Sequence, residues 1–232
     1  VETAILPTTW RENGLGVFGD LGSVSYRAYP MTGFDAAGFS AAGVRAGRQS
    51  GSRSKAEDFA LVVRGDWTAT PGLLLGGSVY AGDAGQDLPV SAGLLTTEAH
   101  GDWRWRGWQV SALWARTEIS NVAALNRTRG LTGERSIGER LHGQYAQIGY
   151  DLLATRQSAR RLVPFVRFET YDTQARVPAG FRRNPANDIE SWTAGVAYQP
   201  ADQVILKLDF QDHQNQAGTG VDQWNVALGY VF

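Results

Sequence analysis

Cysteine is absent from the chain, which excludes disulfides, zinc–thiolate sites and thiol catalysis. Lysine occurs only at positions 55 and 207, so nearly all of the basic charge is arginine. No run of 18 or more apolar residues exists, which rules out a membrane-spanning helix. Neither sign of charge dominates: Lys+Arg 22 against Asp+Glu 23 leaves a net charge of −1, so no nucleic acid or other polyanion is expected as partner. No cluster with metal-ligand spacing and no phosphate-cradling glycine loop is present, and neither a metal nor a cofactor is expected. There is no initiator Met and no signal-peptide pattern, so the expectation is a mature or trimmed N-terminus.

What the chain has is alternation. In QWNVALGYVF, Trp224, Val226, Leu228, Tyr230 and Phe232 are large and apolar, while Asn225, Ala227 and Gly229 between them are polar or small. In VILKLDFQ, Val204, Leu206, Leu208 and Phe210 oppose Ile205, Lys207, Asp209 and Gln211. In WTAGVAYQ, Trp192, Ala194, Val196 and Tyr198 oppose Thr193, Gly195, Ala197 and Gln199. A period of two means strands. Between them, short turns (68–72, 105–107, 200–202) alternate with longer loops (83–91, 120–138, 174–187, 213–221). Alternating short turns and long loops around strands of about ten residues suit a transmembrane barrel better than a soluble sandwich.

The pattern predicts an all-β, antiparallel up-and-down transmembrane β-barrel as a single domain over 1–232. About twelve strands are expected, at 1–6, 14–20, 23–31, 58–69, 73–82, 92–104, 107–119, 140–153, 161–173, 188–199, 203–212 and 222–232. An even count puts both termini on the periplasmic side; dropping the first strand would break that parity and suggest a strand upstream. With no water in the bilayer core, backbone groups must pair along the sheet and the outward side chains must be apolar. Trp67, Trp103, Trp105, Trp108 and Tyr198 fall beside short turns, and Trp114, Trp192, Phe210 and Trp224 toward long loops, as two interfacial girdles require.

If the apolar face looks outward, parity directs the other face to the lumen. The expected lining is Arg27, Arg64, Asp66, Glu98, His100, Asp102, Arg104, Gln147, Asp151, Arg167, Glu169, Lys207 and Asp209, with Gln109 and Ser111 beside them. These charges either line a wet channel and set its ion preference, or pair across a narrow interior and plug it. The stretch from Pro7 to Asn13 is placed like an inward constriction loop, with Arg11 and Glu12 meeting solute. The segment 32–57, rich in Gly, Ala and Ser and carrying Arg45, Arg48, Arg53 and Lys55, is expected either to fold inward as a basic lining or to remain a mobile outer loop. The loop 120–138, with Arg127, Arg129, Glu134 and Arg135, reads as a solvated outer loop.

The terminal strand resembles the C-terminal signal of outer-membrane proteins read by the barrel-insertion machinery, with Phe232 as terminal aromatic and Tyr230 as the second; Ala227 stands where that pattern usually has Gly. The stretch VETAILPTTWRENGLGVFGDLGSVSYRAY, the later AEDFALVVRGDW and the terminal NQAGTGVDQWNVALGYVF resemble, as pattern rather than signature, the porin family that includes the phosphate-selective porins O and P. Members of that family carry about sixteen strands, so the resemblance implies a reduced or N-terminally trimmed member. With two lysines there is no lysine ladder, and phosphate selectivity does not carry over. The resemblance implies a bacterial outer-membrane location, passive diffusion of small hydrophilic solutes or ions without turnover, contact with outer-membrane lipid and lipopolysaccharide, and a homotrimer as a frequent porin assembly. The alternatives are a plugged structural or lipid-interacting barrel and an outer-membrane hydrolase. A hydrolase needs a nucleophile, base and orienter in reach, and the only hints are His213 near Asp209 and Asp212, and His142 near Ser136 and Glu139. The chain is therefore expected not to be an enzyme.

Overall fold

The computed structural model describes residues 1–7, 10–156 and 159–230. Eleven strands form one sheet in sequence order: β1 (Val17–Leu21), β2 (Val24–Thr32), β3 (Phe59–Trp67), β4 (Leu73–Asp83), β5 (Gly93–Trp105), β6 (Trp108–Ile119), β7 (Arg140–Tyr150), β8 (Arg161–Arg176), β9 (Asp188–Ala201), β10 (Val204–Asn215) and β11 (Gln223–Tyr230). Every neighbouring pair is antiparallel. One end of the sheet carries compact turns. The tightest, Arg106–Gly107, has both residues at positive φ (47° and 90°), as a two-residue type I′ hairpin requires. The other end carries the connections 33–58, 84–92, 120–139, 177–187 and 216–222.

The first expected strand, 1–6, is not one. The amides of Ile5 and Leu6 both donate to the carbonyl of Val1, at 2.9 and 3.1 Å, in a helix-like turn. The reason is in the spacing: Val1 and Ile5 lie four apart and share one side of such a turn, and both are buried. The remaining eleven expected strands all form, with ends shifted by a few residues.

The outward face is an apolar belt. Leu61, Val63, Leu75, Val79, Leu95, Ile148, Val166, Leu206, Leu208, Val226 and Leu228 are exposed along it. Aromatic side chains close it at both edges. Trp67, Trp103 and Trp105 (stacked at 5.9 Å), Trp108 with Tyr150 (4.9 Å), Tyr198 and Tyr230 lie toward the compact turns. Trp114, Phe168 with Trp192 (4.8 Å), and Phe210 with Trp224 (5.2 Å) lie toward the long connections. A belt of this kind suits the hydrocarbon of a bilayer, with the compact turns at one interface and the longer connections at the other. Tyr230 ends β11 on the outward face, while Phe232 lies outside the described residues.

The opposite face is covered over half its width. The N-terminal segment, the connection 33–58 and the connection 120–139 fold onto it and build a dry core: Ile5, Phe34, Phe39, Val44, Val122, Leu125, Ile137 and Leu141 are all at most 2% exposed. Burial of each large side chain contributes about 1.5–3 kcal/mol. Segment 32–57 folds inward by burying its apolar residues Phe34, Phe39 and Val44, rather than remaining a loop free of the sheet. The loop 120–138 departs from the expectation of a solvated outer loop. It contains helix α1 (Val122–Thr128), and the Arg129 guanidinium beyond it donates to the carbonyls of Ala36 (3.0 Å) and Phe39.

Candidate functional site

Strand register puts the charged residues of the inner face into rows. Asp66, Gly76 and His100 lie side by side on β3, β4 and β5, and Arg64, Ser78 and Glu98 form the next row. The two rows fuse into one network. Arg64 Nε donates to Asp66 Oδ2 at 2.8 Å, and its Nη2 lies 2.8 Å from His100 Nε2. His100 bridges two carboxylates, with Nε2 3.0 Å from Asp66 Oδ1 and Nδ1 2.5 Å from Glu98 Oε1. Ser78 donates to the other oxygen of Glu98 at 2.8 Å. Gly76 makes the meeting of Asp66 and His100 across β4 physically available, because a Cβ there would fall 2.3 Å from Asp66 Oδ1 and 2.6 Å from His100 Nε2. Asp66 and Glu98 are buried, and a buried charge is tolerated when paired in this way. This network forms a floor beneath the dry core: Tyr80, on β4 two residues past Ser78, accepts from the amide of Phe34 at 3.2 Å.

On β8 to β10 the inner face carries charged and polar side chains, with Val163, Phe165 and Ile189 as apolar positions among them. Arg167 is bound by Glu169 (2.6 Å) and lies 3.6 Å over the ring of Tyr145. Glu169 also takes the amino group of Val1. Lys207 pairs with Asp209 at 3.0 Å, and Asp209 accepts from Asn225 at 2.9 Å. Ser191, Thr193 and Gln211 continue the same surface. Arg27, Asp102 and Arg104 share this face and carry no ion pair among the described residues, and Gln147 opens onto a cavity near the compact turns. Asp151 is different. Its carboxylate accepts from the amides of Leu153 (3.0 Å) and Leu162 (3.1 Å), so it is taken up in shaping the 151–160 connection.

Between the covered half and this polar wall lies a gap of about 550 Å³. The inward connection contributes Ser40, Arg45 and Arg48 to it; β8 contributes Tyr171 and Thr173, and Asn187 stands opposite. The tip of the connection is pinned to the wall, since the Ala41 carbonyl accepts from Thr173 Oγ1 (2.6 Å) and Asn187 Nδ2 (3.1 Å). Its base is pinned by Lys55, which bridges Asp35 and Asp87, each at 2.8 Å. The hydrogen bond that Lys55 donates to Asp35, then that to Asp87, raises the Lys55 ammonium above its ordinary range, and Lys55 in turn holds Asp87 low.

Of the four constriction candidates, Arg45 and Arg48 line the gap, and Arg45 has no carboxylate partner among the described residues. Glu12 is occupied otherwise, accepting from Trp10 Nε1 (3.1 Å), Thr32 Oγ1 (2.8 Å) and Ser54 Oγ. Arg11 is bridged through its backbone to Ser50. Sequence reasoning missed Tyr171, Thr173 and Asn187. The first two follow from parity on β8, the third from nothing local. The hydrolase hint at His142 does not assemble. His142 is on the outward face in one row with Arg116, and the Ser136 hydroxyl is buried against the Arg182 carbonyl at 3.3 Å. Among the described residues no hydroxyl is hydrogen-bonded to a histidine ring.

No family model matches the chain. An uncharacterised protein of Aquifex aeolicus is 28% identical over 241 residues, covering 100% of this chain but 55% of its own length. Among solved structures, a porin superposes with a TM-score of 0.53 at 13% identity, over 95% of this chain and 62% of the porin. The fold is that of a porin wall. A BenF-like porin from Pseudomonas fluorescens is more distant, at TM-score 0.47 and 7% identity over 95% of this chain and 69% of its own. The chain thus spans about half the length of the curated relative it matches and under two thirds of the first porin.

Proposed function

We propose that the protein is a channel wall for passive diffusion of small hydrophilic solutes or ions across the outer membrane. The observation that supports this reading is the connection 33–58 folded onto the inner face, with Arg45 and Arg48 lining a gap opposite Tyr171 and Thr173 of β8 and Asn187. In this reading solute passes along β8–β11, and charge at the narrowing filters it. The lining comprises Arg27, Asp102, Arg104, Gln147, Arg167, Glu169, Lys207 and Asp209, and the Arg64–Asp66–Glu98–His100 network is the fixed boundary of the sealed half. The partners in this reading are small solutes and the surrounding outer-membrane lipid. No step requires turnover.

Single-channel conductance of folded protein in a planar bilayer, with the reversal potential in a salt gradient, tests it. Steady ohmic steps are expected, with Arg45→Gln shifting the reversal potential toward cation preference. Folded, inserted protein that stays silent would favour the second reading, a plugged wall. The dry core over β3–β7 is the specific observation on that side.

A further inference from the structure

A second cavity, of about 340 Å³, lies on the inner face at the opposite end of the wall from the loop gap, close to the compact turns. Six strands meet there. β5 contributes Arg104, β6 Gln109, β7 Gln147, β8 Arg161, β9 Gln199 and β10 Lys207, and the hydrophobic floor is Val163 and Phe165. None of the residues lining it is a carboxylate. Lys207 is partly balanced by Asp209 and lies 4.8 Å over the ring of Phe165. Arg104 and Arg161 have no carboxylate partner among the described residues. Between these cations stand three amides, each able to donate and to accept. One donor of Gln199 is spent on the Asp202 carbonyl at 3.1 Å, and among the described residues no hydrogen bond engages the side-chain amides of Gln109 or Gln147.

We propose that this cavity is a binding station for small hydroxylated carboxylates of the sugar-acid type. The inference rests on the channel reading and names the solute class for it. The chemistry follows from the lining. Two arginine forks suit a carboxylate, to which they donate charge-assisted hydrogen bonds. Glutamine amides suit hydroxyls, which also donate and accept. The aliphatic and aromatic floor suits the C–H face of a carbon chain. The volume is at the small end of ligand sites, which run from about 300 to 1,000 Å³. A bare inorganic anion would leave the amide carbonyls and the apolar floor unused, and a neutral sugar would leave the cations without a counter-charge.

The test is equilibrium binding of gluconate, with glucose and inorganic phosphate as comparators, measured by calorimetry on folded protein in detergent and, in parallel, as block of the chloride current from the compact-turn side. Gluconate is expected to bind more tightly than either comparator, and Arg104→Gln/Arg161→Gln to weaken it by at least about tenfold. Gln147→Ala should weaken gluconate but not phosphate. Arg156→Gln, a nearby surface charge outside the cavity, should leave the affinity unchanged. Gluconate binding that survives the double arginine change, or that equals phosphate binding, would overturn the proposal. The two readings separate cleanly: binding without current retains the site and removes the channel, current without gluconate binding removes the site alone, and absence of both removes both.

Discussion

Replacing Phe34 by Ala tests whether the inward connection is held by its core. Phe34 is 2% exposed, stacks on Trp10 with ring centroids 4.1 Å apart, and meets Tyr80 and Phe39 edge-on at 5.3 and 5.8 Å. Truncating a buried phenylalanine costs about 3–5 kcal/mol, cavity included. That cost falls on docking of the 33–58 connection and not on the strand ladders, because Phe34 contributes to no strand. At about 1.4 kcal/mol per factor of ten, the undocked population should rise at least a hundredfold. Trypsin provides the assay, because the connection carries Arg45, Arg48 and Arg53, and cleavage of a locally opened segment tracks its population when opening is fast. Rapid tryptic nicking between 45 and 53 is expected, while the heat-modifiable gel mobility of the folded sheet is retained. A nicking rate within about threefold of the unaltered protein, with the sheet intact, would refute the view that this aromatic cluster holds the connection in place.

Three further outcomes are expected. Leu208→Asp, on the outward belt, should lower folding stability toward the low end of about 2–4 kcal/mol in lipid, and more than Lys207→Asp on the other face; equilibrium unfolding from vesicles measures both, and the reverse order would invert the assignment of faces. Gly76→Ala should destabilise by about 1–3 kcal/mol, although alanine normally improves on glycine in a strand, because its Cβ would push Asp66 and His100 apart; denaturant titration decides the sign. Tryptic protection of the 33–58 connection should be flat around neutral pH and weaken at both extremes. Lys55 is raised above its ordinary 10.5, so its contribution is complete below that value and fades as pH climbs through the higher folded one. Asp87 is held below 3.8, so its contribution is present above that value and fades in acid. The negative charge of Asp87 raises Glu57, which opposes this, since protonating Glu57 relieves a repulsion as pH falls. Lys55→Gln should remove the alkaline limb, as followed by nicking rate against pH.

The wall was legible because its rule is local. Outward Leu206, Leu208 and Phe210 announce their face through residues two apart, and the register of β10 against β9 and β11 keeps that face. The aromatic girdles were legible for the same reason. The inner core was not, because turns build it, and turns have no period. Phe34 and Phe39 lie five apart on either side of a single 3-10 turn, Val44 precedes another, and Leu125 sits in a seven-residue helix. What brings them together is long-range: Arg129 reaching Ala36, and Gln174 on β8 donating to Ser136 at 2.5 Å while accepting from the Asn184 amide at 2.7 Å.

One signal of that core was nevertheless present in the strands. Following the inward positions of β6 from the compact turn gives Gln109, Ser111, Leu113, Ala115, Thr117 and Ile119: polar first, apolar last. β7 repeats the trend in the opposite chain direction, with Leu141 at the far end and Gln147 near the turn. A lumen open to water at that height has no use for Leu94, Ile119 or Leu141, each at most 5% exposed. Apolar residues at inward positions therefore require something apolar to cover them, and among the described residues the first residues, Trp10 and the connections 33–58, 84–92 and 120–139 supply it. On β9 and β10 the inward positions near the long-connection end are mostly polar, at Ser191, Thr193, Gln211 and His213, with Ile189 the apolar exception at the end of β9. The contrast between these two halves of one sheet, already written in strand parity, divides the sealed side from the more polar side, and in the proposed channel reading it sets where a permeation path would run.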